Sequence, residues 1–137
     1  MARRSRSRGR VANFAGEYKN FCASTREKIP LVTAASVIVL TTFPVDGDVR
    51  SFARTLVEER IAACVNVLPP MQSTYRWQGK VEEASEHQVI IKTTTEAVER
   101  LKARVTSLHP YDVPEILIVP ISGGGARYLE WLQESVE

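Results

Sequence analysis

The segment "SVIVLTTF", residues 36–43, decides how this chain folds. Its apolar and β-branched residues run without interruption, whereas a strand with one side in water alternates apolar and polar positions. The run therefore predicts a strand at the centre of a sheet, covered on both faces. Pro44 and Gly47 follow directly and end the strand.

An amphipathic helix is predicted after this strand. Apolar side chains recur at helical spacing from Val49 to Ile61, and Asp46 or Asp48 is available as the N-cap. One face of the helix must therefore pack on a sheet.

Two extended segments should form a hairpin. The first is "AACVNVLPP" (62–70), continued by "STYRWQ" (73–78), and the second is "EHQVIIKTT" (86–94). The two prolines that end the first segment cannot donate ladder hydrogen bonds, so we predict a sheet edge or a bulge there. A turn is expected near Gly79.

A second helix is predicted for "TTTEAVERLKARVTSL" (93–108), with Thr93 and Glu96 at the spacing of a capping box. Pro110 stops this helix. The apolar segment 115–121 predicts a further strand, which is followed by a flexible three-glycine turn and a short C-terminal helix.

The predicted fold class is α+β. The order β-α-β-β-α-β with a C-terminal helix is the ferredoxin-like arrangement, in which the first two helices cover one face of the sheet. The strand at 36–43 is apolar on both sides, so the other face needs a cover as well. We expect self-association through that face into a closed cyclic homo-oligomer.

The chain has 137 residues, 44% hydrophobic and 25% charged, which is sufficient for one domain with a core. Residues 1–28 hold six arginines and two lysines against two glutamates, a net charge of +6, so the remaining 109 residues carry −4. Residues 1–34 are interpreted as an Arg- and Ser-rich extension, disordered or weakly ordered, with a short helix around 13–22 as an option. The folded domain then covers 35–137.

The expected location is the cytoplasm. Cys22 and Cys64 are the only cysteines, so neither a disulfide framework nor a paired-cysteine zinc motif can form. No apolar run approaches the roughly 20 residues that span a bilayer, and no secretory signal is present, so we expect a soluble protein without a membrane partner. The basic N-terminal segment also has the composition of an organellar transit peptide, and organellar import is the alternative location.

Three features argue against other classes of function. The "GGG" at 123–125 is not followed by Lys-Ser or Lys-Thr, so it is interpreted as a connector and not as a phosphate loop. The folded part is acidic and lacks the strand signature of RNA-recognition modules, which leaves RNA contact by the basic tail as a weak option. With two histidines and no recognisable nucleophile motif, we expect no enzymatic activity.

Five motifs carry a resemblance to a known family. They are "AACVNVLP", "STYRWQGKVEE", "VIIKT", "HPYDVPEI" and "YLEW", and in this order and spacing they resemble the CutA divalent-cation-tolerance proteins over about residues 36 to 134. The resemblance implies a ferredoxin-like subunit in a tight homotrimer, similar in architecture to PII signalling proteins, with clefts between subunits. It also implies a link to copper and other divalent metals.

Family members associated with copper can carry a cysteine in the first strand and two consecutive histidines before Pro-Tyr. This chain has Thr41 and Leu108 at those positions, which leaves His109 alone. The soft thiolate and one imidazole of a tight copper site are therefore missing, and only weak binding of copper or another divalent cation is expected.

Three side chains are candidate metal ligands. His109 could bind a metal ion or act as a base, and a structural place at a helix C-terminus is the alternative. His87 could supply a second ligand, but its position favours a solvent-facing strand residue. Cys64 is a candidate because thiolates prefer the same ions, while a small packing residue is the alternative.

Aromatic side chains of the predicted hairpin are candidates for a binding cleft. Tyr75 and Trp77 are two residues apart on a strand, so both rings project from one face. They could stack on a ligand or pack across a subunit boundary.

The remaining cleft candidates are polar: Lys92, Tyr111, Asp112 and Glu115. Lys92 interrupts an apolar strand and is expected to pair with a carboxylate or an anion, with Glu115 as the proposed partner. The leading interpretation is a homotrimeric divalent-cation-tolerance protein that responds to metal ions. The alternative is a PII-like signalling or scaffold trimer whose clefts bind a small anionic metabolite or a partner protein.

Overall fold

Strand β1 (Ser36–Pro44) lies at the centre of the sheet in the computed structural model, which describes residues 36–137. Within this part of the chain the sheet has four antiparallel strands in the order β2-β3-β1-β4. The other strands are β2 (Cys64–Trp77), β3 (Lys80–Thr94) and β4 (Leu117–Pro120). The central position predicted for 36–43 is confirmed, while the predicted extension 1–34 lies outside the described residues.

The helices follow in the predicted order. Helix α1 (Val49–Glu58) lies between β1 and β2, α2 (Val98–Leu108) lies between β3 and β4, and α3 (Ala126–Glu134) is C-terminal. A short 3-10 turn, Thr95–Ala97, leads into α2. The arrangement is α+β with the β-α-β-β-α-β order and a C-terminal helix, as predicted. None of the helices among the described residues has both the length and the apolarity to cross a membrane.

Helices α1 and α2 cover the same face of the sheet, as expected. One continuous core joins alternate residues of β1 and β3 to the apolar stripes of both helices. The members that are almost fully excluded from solvent include Val39, Leu56, Val89, Ile91, Leu101 and Val105. We call this face of the sheet the helix face.

Only one of the two predicted helix caps forms. Asp48 caps α1, because its carboxylate accepts a 3.0 Å hydrogen bond from the Ser51 amide. The capping box predicted from Thr93 and Glu96 is wrong. Thr93 is a fully buried residue of β3. Its hydroxyl donates to the Ile61 carbonyl oxygen over 2.6 Å and therefore does not cap the helix.

The prolines of β2 lie at both an edge and a bulge. The pairing of β2 with β3 shifts between Val67 and Pro70, where β2 has one residue more than its partner. Cys64 faces the same side as Lys92 before the shift, and the odd-numbered residues Met71 to Trp77 continue on that side after it. The bulge therefore reverses which residues of β2 face each side of the sheet.

Two strand boundaries differ from the prediction. β3 begins at Lys80 and not at residue 86, because the polar segment before 86 pairs with β2 through its backbone and carries no apolar pattern. The connecting turn has Gln78 and Gly79 at φ values of 48° and 79°, which suits a two-residue hairpin. β4 is shorter than 115–121, because its ladder with β1 begins only where Leu117 meets Leu40.

The opposite side of the sheet, which we call the open face, is only partly covered. Ile38 and Leu40 alternate with the buried valines of β1 and are half-buried. Their partners on β4, Val119 and Leu117, are 43% and 53% exposed. Helix α3 packs on part of this face, where the Tyr128 hydroxyl lies 3.3 Å from Nζ of Lys92.

Candidate functional site

A cavity of about 730 Å³ lies on the open face, where the far half of the β2–β3 hairpin approaches the loop after α2. Five of the six predicted cleft side chains line it, and Lys92 does not. The lining residues are Thr42, Met71, Ser73, Thr74, Tyr75, Trp77, Glu86, Gln88, Pro110, Tyr111, Asp112, Val113 and Glu115. We call it the hairpin cavity.

Two local features of the sequence build this cavity. The bulge in β2 places Tyr75 and Trp77 on the open face, on the same side as Glu86 of β3. On the opposite wall, Pro110 ends α2 and Pro114 restricts the residue before it, so the chain turns back toward β1. The rings of Tyr75 and Trp77 remain 43% and 48% exposed.

A partly buried hydrogen bond joins the two walls. The Tyr111 hydroxyl donates to Oε1 of Glu86 over 3.0 Å, and Glu86 is only 5% exposed. Burial raises the pKa of Tyr111 to about 12, and the bond to the Glu86 carboxylate adds to this effect. Tyr111 is therefore a neutral donor at physiological pH.

The charge of the cavity is one-sided. Glu86, Asp112 and Glu115 line it, and among the described residues no Lys, Arg or His does. Oε2 of Glu115 is buried and has no hydrogen-bond partner within the described part of the chain. A buried acceptor without a donor is costly, so this oxygen destabilises the fold of the single chain.

The predicted pair between Lys92 and Glu115 is wrong. Lys92 lies opposite Ile38, whereas Glu115 precedes the end of β4 that meets Leu40, on the other side of β1. Nζ of Lys92 instead lies 3.3 Å from the Tyr128 hydroxyl and 4.0 Å from Sγ of Cys64. Along β3, Lys92 is six residues from Glu86, about 20 Å at the usual strand rise, so it belongs to another part of the open face.

His109 is held on both sides of its ring. The Tyr111 amide donates to Nδ1 over 3.0 Å, so the hydrogen is on Nε2, which donates to the Thr42 carbonyl oxygen over 2.6 Å. The ring is 8% exposed and packs against Phe43 and Tyr111, with centroids 5.0 Å apart in each case. In this arrangement neither nitrogen is available to a metal ion.

The other two metal candidates lie apart. Nδ1 of His87 is 2.7 Å from the Leu68 carbonyl oxygen and donates to it, which leaves Nε2 as the possible ligand, and the residue is half-buried. Cys64 is a half-buried free thiol beside Lys92, a cation that lies close in space and not in sequence. Among residues 36–137, no three His, Cys, Asp or Glu side chains are grouped closely enough to hold a metal ion.

Sequence reasoning missed Glu86, Gln88 and Thr42 as cavity residues. Glu86 and Gln88 occupy alternate positions that continue the open-face side of β3 outward from Ile90. This period of two was a usable signal. The contact of Glu86 with Tyr111 joins residues 25 positions apart, and no sequence pattern predicts it.

These features define a small α+β protein with an acidic, aromatic cavity beside an incompletely covered sheet face. The model of a protein family described as "CutA1 divalent ion tolerance protein" matches residues 37–135. The chain belongs to this family, and the resemblance seen in its five motifs is confirmed.

Two relatives illustrate the range of the family. The chain is 52% identical over 98 residues to the divalent-cation tolerance protein CutA of Thermus thermophilus, which covers 72% of this chain and 95% of the relative. It is 42% identical over 117 residues to a CutA protein of Arabidopsis thaliana whose name describes it as chloroplastic. That match covers 85% of this chain and 64% of the plant protein.

Solved structures share the fold. The cation tolerance protein of T. thermophilus superimposes with a TM-score of 0.72 at 50% identity, covering 74% of this chain and 99% of that one. CutA1 of Oryza sativa gives a TM-score of 0.73 at 39% identity, covering 76% and 95% of the two chains.

Proposed function

We propose that this protein acts in divalent-cation tolerance as a closed homotrimer of PII-like architecture and binds copper or another divalent cation weakly. The role is a response to metal ions and is not enzymatic. The proposal depends on one observation above all, the apolar part of the open face that residues 36–137 leave exposed.

Assembly is supported by the two edges of the sheet. β2 and β4 are the outer strands among those described, and Leu117 and Val119 of β4 are largely exposed beside Ile38 and Leu40. An edge strand has unpaired backbone groups that another chain can meet. Pairing between two different edges is heterologous, and with suitable rotation it closes into a ring, which we propose has three members.

Metal binding is supported by the net negative charge of the folded part and by membership of a family described by divalent ion tolerance. Residues 29–137 carry a net charge of −4. Because His109 has no free nitrogen, we propose Nε2 of His87 and Sγ of Cys64 as the ligands. Cys64 pairs with Lys92 and His87 lies five residues away along β3, so the two do not converge in one chain. Any site is therefore completed by solvent or by a second copy, which agrees with weak binding.

Native mass spectrometry tests the assembly. The wild type is expected at about three times the 15.3 kDa chain mass. Val119→Lys places a charge on the uncovered face and should release monomers. Val57→Lys is the matched control, because Val57 is 41% exposed on α1 and Val119 is 43% exposed, and it should leave the trimer intact. A monomeric wild type, or equal effects of both variants, contradicts the proposal.

Titration with Cu²⁺ and Zn²⁺ tests the ligands. Cys64→Ser and His87→Ala should each weaken binding, and the double variant should abolish it. Binding that persists unchanged in the double variant shows that the ion is held elsewhere.

The alternative remains a signalling or scaffold trimer with ligands or partner proteins in its clefts. The hairpin cavity supports a ligand-binding role, but its three carboxylates argue against an anionic metabolite there. On the open face, an anion would bind more favourably beside the ammonium group of Lys92. Titration with nucleotides against wild type and Lys92→Met distinguishes this alternative.

For the rest of the chain we propose an Arg- and Ser-rich extension at 1–34 and a folded domain at 35–137. The proposed location is cytoplasmic, with import into an organelle as the alternative. The composition of the extension supports import, as do the names of plant relatives described as chloroplastic. Fusing residues 1–34 to a fluorescent protein would distinguish the two locations.

A further inference from the structure

Arg60 adopts a backbone conformation that usually belongs to glycine. It follows α1 with φ at 57°, in the left-handed region. Its amide donates to the Val57 carbonyl oxygen over 3.0 Å. The next amide, that of Ile61, donates to the Leu56 carbonyl oxygen over 3.1 Å, and together these are the bonds of a Schellman motif. Glycine is favoured at this position because it has no Cβ, so the arginine needs a reason of its own.

The reason lies in contacts between Arg60 and the C-terminal end of the chain. Nη2 of Arg60 donates to the Glu134 carbonyl oxygen over 2.8 Å, and Nη1 lies 2.8 Å from Oε1 of Glu137. The Glu137 amide in turn donates to the Arg60 carbonyl oxygen over 3.0 Å. Glu134 ends α3, where carbonyl oxygens lack helical partners and a cation is favourable. We call these three contacts the C-terminal clamp.

Helix α3 has few other attachments to the rest of the protein. Of its nine residues, all within the described part of the chain, Leu132 alone is buried. The glycines at 123–125 precede it, and no side chain caps its first turn. A helix of this length is not stable by itself in water. Its position on the sheet therefore depends on Leu132, on the contact of Tyr128 with Lys92, and on the C-terminal clamp.

We propose that the C-terminal clamp keeps α3 docked on the sheet, and that its release lets α3 detach as a unit while the sheet, α1 and α2 stay folded. Segments with few buried side chains open at a lower free energy than the core. The ion pair of the clamp is exposed, at 48% for Arg60 and 66% for Glu137, so salt weakens it. Detachment of α3 also removes Tyr128 from Lys92. The clamp is thus a salt-sensitive device that sets the fraction of molecules with α3 in place.

Hydrogen exchange of the full-length protein, followed by mass spectrometry, tests the proposal. Arg60→Gly keeps a residue that suits the left-handed backbone and removes only the side chain. The amides of α3 should then exchange about tenfold faster than in wild type, the factor expected for the loss of a hydrogen bond to a charged group. The amides of α1 and α2 should exchange as in wild type.

A second variant, Glu137→Gln, removes the ion pair and keeps the backbone contacts of the clamp. It should speed exchange of α3 less than Arg60→Gly does. High salt should speed exchange of α3 in wild type and have little further effect in Glu137→Gln.

Two controls separate the clamp from other causes. Arg54→Ala breaks the exposed ion pair of Arg54 with Glu58 on α1 and should leave exchange of α3 unchanged. Val119→Lys keeps the clamp and is expected to disrupt assembly, so α3 should stay protected in it.

Three outcomes overturn the proposal. The first is wild-type exchange of α3 in Arg60→Gly, and the second is faster exchange of all three helices by the same factor. The third is faster exchange of α3 in Val119→Lys, which would show that contacts between subunits hold the helix. Each outcome is read from α3 relative to α1 and α2, so it is independent of whether the wild type is a trimer or binds metal.

Discussion

The imidazole of His109 and the backbone of Thr42 are joined by a 2.6 Å hydrogen bond between Nε2 and the carbonyl oxygen, across 67 positions of sequence. The other ring nitrogen accepts from the amide of Tyr111. This one side chain fixes the loop after α2 against the end of β1, and so positions one wall of the hairpin cavity.

Replacing His109 by alanine should therefore reduce stability and leave metal affinity unchanged. The change leaves a cavity beside Phe43 and Phe52 and removes the partner of the Thr42 oxygen, for an expected loss of about 2–4 kcal/mol in unfolding free energy. Denaturant unfolding measures the first effect and Cu²⁺ titration the second. A variant of normal stability that loses copper binding would make His109 a ligand after all.

Tyr111→Phe removes the donor that Glu86 receives across the cavity. Because Glu86 is buried and the bond is to a carboxylate, we expect a loss of about 1.5–3 kcal/mol in unfolding free energy. The matched control is Tyr75→Phe, whose ring is 43% exposed and which should change stability little.

The same tyrosine predicts an alkaline effect. Folding raises the pKa of Tyr111 from 10.0 to about 12, so the folded state favours the neutral phenol. Its contribution to stability is complete below pH 10 and is lost as the pH rises toward about 12. Ultraviolet difference titration should show one tyrosine ionising near this upper value in wild type and none there in Tyr111→Phe.

Deleting Pro69 tests the bulge in β2. Without the extra residue, Tyr75 and Trp77 should move to the helix face and the hairpin cavity should lose its aromatic wall. The expected readout is a shifted tryptophan fluorescence spectrum. Pro69→Ala keeps the residue count and should preserve the wild-type spectrum; if it behaves like the deletion, proline itself and not the count sets the register.

Gly47→Ala should destabilise the corner between β1 and α1. An added Cβ would lie 2.6 Å from Cε1 of Phe43, whose ring is held against Phe52 and His109. Overpacking of this kind costs about 1–3 kcal/mol in unfolding free energy. Gly123→Ala has open space around the added atom and serves as the control in the same thermal or denaturant measurement.

The fold was predictable because its signals are periodic and local. The apolar run at 36–43 predicted a central strand, as observed. Pro69 with Pro70 predicted an edge or a bulge, and the structure has both there. Thr93 and Glu96 failed as a capping box, since the spacing of the motif does not reveal that Thr93 lies in the core of a strand. At Thr93, burial in the core outweighs the local preference for a helix cap.

The site was predictable only in part. Tyr75, Trp77, Tyr111, Asp112 and Glu115 were identified by residue type, and the structure brings them to one cavity. Lys92 was grouped with them because an ion pair was assumed, while the register of β3 and β4 against β1 keeps it apart from Glu115. Register depends on pairing between distant segments, so composition could not reveal it.

The edges of the sheet have one more consequence. β4 is four residues long and ends at Pro120, and β2 is interrupted by its two prolines, so neither edge offers a long uninterrupted row of backbone donors. A ring of a few copies needs only short complementary stretches, whereas a growing fibril needs an extended template. The prolines in β2 and at the end of β4 thus disfavour fibril growth from these two edge strands.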